Sequence, residues 1–346
     1  MEAIGRGWGK LLLFGEHAAV YGYPALGMAL PSYVEVALER SGDRWVLPEL
    51  TTRYAGVARQ LLDRLEHRIG ERLGTEVAEW LRGTLHVRST VPTSLGYGSS
   101  GAVCTALARA VASALSEARD EPPADEFAIW ELANDLERVF HGTPSGIDTG
   151  LATFGDLRYF SFDGPGLPRV ASRAPLSGYI LTAAVPRSGD TKSLVGEIRR
   201  RWDAEDGATR RRIRELGEIA AEAAALLESG TASDPENAAG ETAGTLWRLG
   251  TLAARAQEAL AALELSSPHL GALLDVAGRR GSLGGKLSGA GGGGAFYALF
   301  DDEAKAMSAV EAVSSYLQDH GLQDMPVQLL DSGPGGVHEL SEERLA

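Results

Sequence analysis

Hydrophobic and polar positions follow two rhythms along this chain. YVEVALER (33–40) and TLHVRSTV (84–91) alternate with period two, and Leu85, Val87 and Ser89 share one face, so both are predicted strands. GKLLLFGEH (9–17) is a short apolar run that also reads as a strand. Helical spacing governs 54–73, the stretch from about Gly101 to Ala118, and a third from about Asp125, a candidate cap, to Phe140. HGTPSGIDTG (141–150) reads as a loop from its Gly, Pro, Ser and Asp content, and LRYFSF (157–162) as a strand. GPGLPRVASRAPLS (164–177) is loop-like and places a domain boundary there. GYILTAAVP (178–186) opens a new strand, and Ala-, Leu- and Glu-rich helices follow at about 207–229, 235–264 and 268–279. Strands at 294–300 and 326–332 flank a helix at 303–319. The pattern predicts two α+β domains, 1–175 and 176–346, without internal repeats. The charge-rich GATRRRIRELG (207–217) reads as a solvated helix face, and the apolar faces of the later helices suit either a core or a homodimer contact.

Composition narrows the function classes. The chain has 346 residues, 44% of them apolar and 23% charged, enough for a sizeable core. Its formal charge of -14 argues against coating nucleic acid, which needs a basic footprint. A phosphate site would have to be built locally, from backbone N–H groups and one or two cations. A lone cysteine, Cys104, excludes an intrachain disulfide and a Cys-rich zinc site, and fits a reducing cytoplasm. Its apolar helical surroundings make it a buried structural thiol. The first residues lack the basic start and long apolar stretch of a secretory signal. No apolar run approaches the ~20 residues of a membrane span, so no membrane partner is expected.

Three glycine clusters carry the chemistry: Gly7-Trp-Gly9-Lys10, Gly96-Tyr-Gly98-Ser-Ser-Gly101, and a run from Gly284 to Gly294. Neither Lys10 nor Lys286 lies in a P-loop, because each is followed by Leu and the upstream glycine is missing. The spacing at 96–101 matches a dinucleotide fingerprint, but no clean βαβ unit surrounds it. It also matches the protein-kinase glycine loop, yet a helix follows and the other kinase signatures are absent. A tight turn without a ligand explains neither the paired serines nor the third cluster. An anion cradle explains both. Ser99 and Ser100 open a helix, where free N–H groups and the macrodipole favour negative charge. Gly96 and Gly98 permit close backbone approach to phosphate oxygens, and a serine hydroxyl there suits Mg²⁺.

At these residues a resemblance enters. GKLLLFGEHAAVYGYPALGMAL, PTSLGYGSSGAV and KLSGAGGGGAFYAL resemble, in order, the three motifs of the GHMP kinases, and span residues 8 to 300. GEHAAVYGYPA and HGTPSGIDTGLATFG look like the mevalonate kinase branch. The resemblance implies an α+β GHMP kinase fold, with an N-terminal ribosomal-protein-S5-like domain, a C-terminal ferredoxin-like domain, and the site between them. It implies ATP- and Mg²⁺-dependent phosphorylation of the mevalonate 5-hydroxyl, giving 5-phosphomevalonate for isoprenoid biosynthesis. Two alternatives stand: another GHMP kinase, acting on phosphomevalonate or a sugar, and an inactive nucleotide-binding regulator.

Carried over by position, Asp148 is the catalytic base and Lys10 its partner. Pro92, Gly96, Gly98, Ser99, Ser100 and Gly101 form the nucleotide loop. Ser99 or Ser100, with Ser100 preferred, ligates Mg²⁺ together with Glu137, eleven residues before Asp148. Glu16, His17, Tyr21, Ser145, Gly146, Arg158, Thr191, Gly289, Ala290 and Gly291 are substrate-side positions. Simpler readings compete: Asp148 as a helix cap, Glu137 as an exposed helix end, His17 as a core histidine, Arg158 as a surface strand residue, Lys10 in a purely structural pair. Ser94, Tyr97 and Gly101 depart from the usual Gly, Leu and Ala of the second motif, which bears on nucleotide preference.

Overall fold

The computed structural model describes residues 2–41, 44–48, 55–187, 191–229, 238–333 and 336–340. The chain divides into two compact units, each assembled from separate stretches. Unit one comprises Met1–Lys10, Ser32–Pro92 and Gly98–Gly155; unit two comprises Leu11–Pro31, Thr93–Tyr97 and Asp156–Ala346. Strands β1 (Glu2–Phe14) and β2 (Ala25–Arg40) contribute residues to both.

In unit one the far half of β2 pairs antiparallel with β3 (Gly83–Ser89), from Val34↔Ser89 to Arg40↔Gly83. The alternation delivers Val34, Val36, Leu38 and Leu85 to the core. Helices α1 (Ala55–Leu73), α2 (Thr75–Trp80), α3 (Ser99–Arg119), α4 (Glu126–His141) and α5 (Ile147–Phe154) complete it. The buried face of α3 is rich in small residues, including Ala102, Ala106 and Ala110, with Cys104 fully buried among them and Leu107 and Val111 beside them. Small side chains let neighbours come close: a Cβ on Gly7 would fall 2.1 Å from Ala102 O. Gly7 of the first cluster is therefore a packing glycine against α3.

Helix α5 corrects the loop predicted over 141–150. Glycine and proline stop the chain only as far as Gly146, which takes φ +81 as the residue before the helix. The next residues resume a helical rhythm, and Ile147, Leu151 and Ala152 are buried. Trp130 of α4, buried itself, donates its indole N–H to Gly146 O at 2.9 Å and fixes this entry turn. Asp125 does precede α4 as expected, but its side chain makes no capping bond.

Unit two holds a five-stranded sheet in the order β10-β9-β6-β8-β7, with β6 (Tyr179–Val185) central, flanked by β8 (Gly294–Phe300) and β9 (Val327–Asp331). Every residue of β8 is buried, which explains its unbroken apolar run. The edges are β7 (Gly284–Leu287) and β10 (His338–Glu339). The near half of β2 pairs with β4 (Leu157–Ser161), and β4 with β5 (Arg169–Ser172). Five helices follow in chain order: α6 (Thr191–Asp203), α7 (Gly207–Ser229), α8 (Ala238–Ala262), α9 (Pro268–Arg279) and α10 (Glu303–Asp319). Most apolar residues of α7 and α8, Ile213, Leu216, Ile219, Leu249, Leu252 and Leu260 among them, are buried within a single chain, while Trp247 of α8 is exposed. Arg211 and Arg212 are exposed, as expected of a solvated face. No helix among the described residues is long and apolar enough to cross a membrane.

Candidate active site

Unit one brings four of the expected residues together through two helix starts, one helix end and one strand. Lys10 ends the unit's share of β1 and is 4% exposed. Its Nζ lies 3.4 Å from Asp148 Oδ1. A buried ammonium needs such a partner. Gly98 makes room for the lysine stem: a Cβ there would sit 2.6 Å from Lys10 Cγ and 3.0 Å from Cε. Gly98 also takes φ +77 and turns the chain into α3. The first helical bond of α3 runs from Ala102 N–H to Gly98 O at 3.0 Å. The amides of Ser99, Ser100 and Gly101 thus precede the helical ladder and carry the positive end of its dipole.

Asp148 stands in the first turn of α5, while Gly146 occupies the capping position, so Asp148 is not the helix cap. Its side chain is 31% exposed. Ser145 Oγ accepts from Ile147 N–H at 3.4 Å and Gly146 O from Trp130, so both of these expected substrate positions shape the turn that presents Asp148. Gly101 meets the same turn. A Cβ on it would lie 2.9 Å from Asp148 C and 3.0 Å from Asp148 O. The departure from Ala therefore lets α3 and α5 approach backbone to backbone.

Glu137 is the second buried titratable side chain of the cluster, 2% exposed on α4. Burial first, then the Asp148 carboxylate, pushes its carboxyl up to about 8. Ser100 Oγ–H donates to Glu137 Oε1 at 3.2 Å and also lies 3.2 Å from His141 Nε2. Ser100, rather than Ser99, is thus the serine brought to Glu137. Near pH 7 the Glu137 carboxyl therefore keeps its proton, and a bound cation would displace that proton. The cluster's donors are hard oxygens, a carboxylate and a hydroxyl, and that set fits Mg²⁺, which takes one or two protein ligands and fills its shell from phosphates and water. Among the described residues no group of three His, Cys, Asp or Glu side chains is arranged to hold a metal. Burial, and then Glu137, also raises the Cys104 thiol well above its ordinary value, in keeping with an inert structural role.

Unit two fastens the first motif to the third. Four contacts join positions 270 to 284 apart in sequence. Leu12 N–H donates to Ser288 Oγ at 2.9 Å, and Tyr297 OH to Leu13 O at 2.8 Å. His17 Nε2–H donates to Ala290 O at 3.0 Å, and Lys286 Nζ pairs with Glu16 in full burial. Desolvation first, with Lys286 nearby, pushes the His17 imidazole down to about 4, so it is neutral near pH 7. Lys286 is thereby committed to Glu16 and to Leu287 O. Gly289 and Gly291 take φ +94 and +85 in the same loop. Tyr21 stacks on Trp202, ring centroids 4.0 Å apart. Arg158 donates to Ser172 Oγ and pairs with Asp156 at 3.5 Å. Thr191 opens α6, but its side chain lies outside the described residues.

Comparison with known proteins gives this geometry a family. The family model for the GHMP kinases N terminal domain matches residues 56–156, and that for the GHMP kinases C terminal matches 237–319. The chain belongs to the GHMP kinase superfamily. Its curated relatives include a mevalonate kinase of Thermococcus sibiricus, 29% identical over 321 residues, covering 86% of this chain and 89% of that protein. The crystal structure of L. major mevalonate kinase in complex with R-mevalonate shares the fold with a TM-score of 0.73 and 22% identity, covering 95% of each chain. Lactococcus lactis galactokinase complexed with galactose shares it too, at a TM-score of 0.69 and 16% identity, over 98% of this chain and 95% of that one. The GHMP kinase fold alone thus leaves the acceptor open.

Of the remaining departures from the usual GHMP loop, Tyr97 has a local cause and Ser94 has none among the described residues. Tyr97 is fully buried in unit two, and its OH meets Thr182 Oγ1 at 3.2 Å; Thr182 in turn donates to Phe296 O. The tyrosine anchors the loop to β6. Ser94 holds φ +63, a conformation glycine takes without cost. Pro92 is half-buried at the end of its stretch of unit one. Sequence reasoning missed His141 and Arg187. The Glu137–His141 spacing of one helical turn was a usable signal for the first. Arg187 Nη2 lies 2.9 Å from where a Cβ on Gly96 would sit and 3.8 Å from one on Gly289, a cation between the second and third glycine clusters.

Proposed function

We propose that this chain is a mevalonate kinase, transferring the γ-phosphoryl group of ATP to the mevalonate 5-hydroxyl with Mg²⁺ present. The observation that carries the reading is the Lys10–Asp148 pair seated over Gly98 at the start of α3. Phosphoryl transfer asks for positioning and charge neutralisation more than covalent work. Asp148 Oδ accepts the acceptor's hydroxyl proton in a hydrogen bond and aims that oxygen. Lys10 holds the carboxylate in place and adds positive charge beside the reacting oxygen. The open amides of Ser99, Ser100 and Gly101 hold phosphate oxygens. Ser100 and Glu137 would hold Mg²⁺, which would supply charge neutralisation for the phosphates. Glu16, His17, Tyr21, Arg158, Thr191, Gly289, Ala290 and Gly291 are the acceptor-side positions of unit two. The choice of mevalonate follows the named activity of the relatives and the long first-motif and HGTPSGID stretches. With its one cysteine buried as a thiol, the enzyme suits the cytoplasm.

The test is an acceptor panel. Purified protein is given ATP and Mg²⁺ with mevalonate, phosphomevalonate or galactose, ADP release is followed, and products are identified by mass. ADP formed with mevalonate, one phosphoryl added per turnover, is the expected result. Turnover confined to another acceptor would make it a different GHMP kinase. Nucleotide binding without turnover on any acceptor would make it a regulator.

A further inference from the structure

Ser100 has one hydroxyl proton and two acceptors within reach. Its Oγ lies 3.2 Å from Glu137 Oε1 and 3.2 Å from His141 Nε2. Glu137 and His141 are one turn apart on α4 and share a face, Oε1 lying 3.8 Å from Nε2. His141 is the last residue of α4, and Gly142 closes the helix at φ +69 with its amide bonded to Arg138 O. The end of a well-terminated helix therefore sets the position of the imidazole. Its side chain is 35% exposed, against 2% for Glu137, so the ring is not packing filler.

The chemistry of the pair asks for a third partner. On the kinase reading, on which this inference rests, Glu137 and Ser100 both turn oxygen lone pairs toward Mg²⁺. A carboxylate oxygen so engaged is a poor acceptor for the serine proton. That proton must leave the metal side and find another lone pair, because a hydroxyl carries one donor and two acceptor positions. An imidazole with its proton on Nδ1 offers that lone pair at Nε2. We propose that His141 is a positioning residue for the metal: it takes the Ser100 hydroxyl hydrogen bond and thereby aims Oγ at the cation.

The experiment uses the intact chain, a non-hydrolysable ATP analogue and no acceptor. Analogue affinity is measured by calorimetry in Mg²⁺ and in EDTA, and bound Mn²⁺ is counted by paramagnetic resonance. The unsubstituted chain should bind more tightly with metal. His141→Ala should lose about tenfold of that metal-dependent gain, the scale of one hydrogen bond, and keep its affinity in EDTA. His141→Gln, whose amide oxygen can accept, should recover to within about threefold, which also controls for folding. In a Ser100→Ala background, His141→Ala should add nothing. An unchanged metal-dependent gain in His141→Ala, an equal loss in EDTA, or full additivity with Ser100→Ala would overturn the inference while the kinase reading stands. A chain whose nucleotide binding ignores metal would overturn both.

Discussion

Gly98→Ala tests how the lysine is held. The new Cβ would sit 2.6, 3.0 and 3.4 Å from Lys10 Cγ, Cε and Cδ. Carbon atoms rest at about 3.5–4.0 Å, so the stem must retreat by about 1 Å. A misplacement of that size in a reacting constellation lowers the rate about 100-fold, or about 2.7 kcal/mol of barrier. The backbone adds a separate cost. Gly98 sits at φ +77, and a side chain there loses about 1–2 kcal/mol of stability. Gly321 separates the two effects, because it holds φ +70 with nothing within 4 Å of its absent Cβ. Gly321→Ala should show the stability loss alone. The assay is steady-state ADP release with mevalonate, alongside urea unfolding of both variants. Gly98→Ala should fall about 100-fold in kcat while Gly321→Ala keeps its rate. Equal rates in two equally folded variants would refute the argument that bare Gly98 sets the lysine.

Three further outcomes follow from single residues. Gly101→Ala restores the residue usual in the family but pushes a Cβ to 2.9 Å from the Asp148 backbone, so kcat should fall about five- to tenfold with nucleotide affinity kept; calorimetry and initial rates read the two. Ser94→Gly relieves a side chain at φ +63 and should raise stability by about 0.5–1 kcal/mol, net of the greater freedom of glycine in the unfolded chain, with Ser94→Ala giving no gain in urea titration. The His17 imidazole lies at about 4 when folded, below its ordinary 6.5, so its contribution is complete above pH 6.5 and is lost as pH falls toward 4. Folding stability should therefore drop by about 3 kcal/mol across that window, and His17→Gln should flatten that part of the pH profile.

The fold was legible where rhythm and burial coincide. The alternation of β2 and β3 and the apolar run of β8 report their own surroundings. Short elements were not. Helix α5 hides behind HGTPSG, whose composition stops one residue before the helical rhythm resumes. Strand β7 is glycine-rich because its backbone packs closely on neighbours: a Cβ on Gly284 would fall 2.0 Å from Gly250 O, a partner far away in sequence. The motif residues Lys10, Ser100, Glu137 and Asp148 were named from the resemblance to the GHMP kinase motifs, and the geometry brings Lys10 to Asp148 and Ser100 to Glu137. The task of Lys286 could not be read, since nothing local in its glycine-rich surroundings points to Glu16. The same limit applies to Tyr97 and Gly101, whose reasons lie on β6 and α5. Sequence shows which side chains are unusual; only the fold shows which backbone stands opposite them.

In the proposed reaction Asp148 meets the hydroxyl of mevalonate. Asp148→Asn keeps the shape and removes the charge. The most direct measurement is mevalonate-dependent ADP formation by this variant beside the unsubstituted chain, with the binding of a non-hydrolysable ATP analogue to both as a check on folding. Analogue affinity should persist and kcat should fall by about 10²–10⁴-fold, the range for a positioned general base. An Asp148→Asn enzyme that turns over mevalonate within tenfold of the unsubstituted chain would contradict that role.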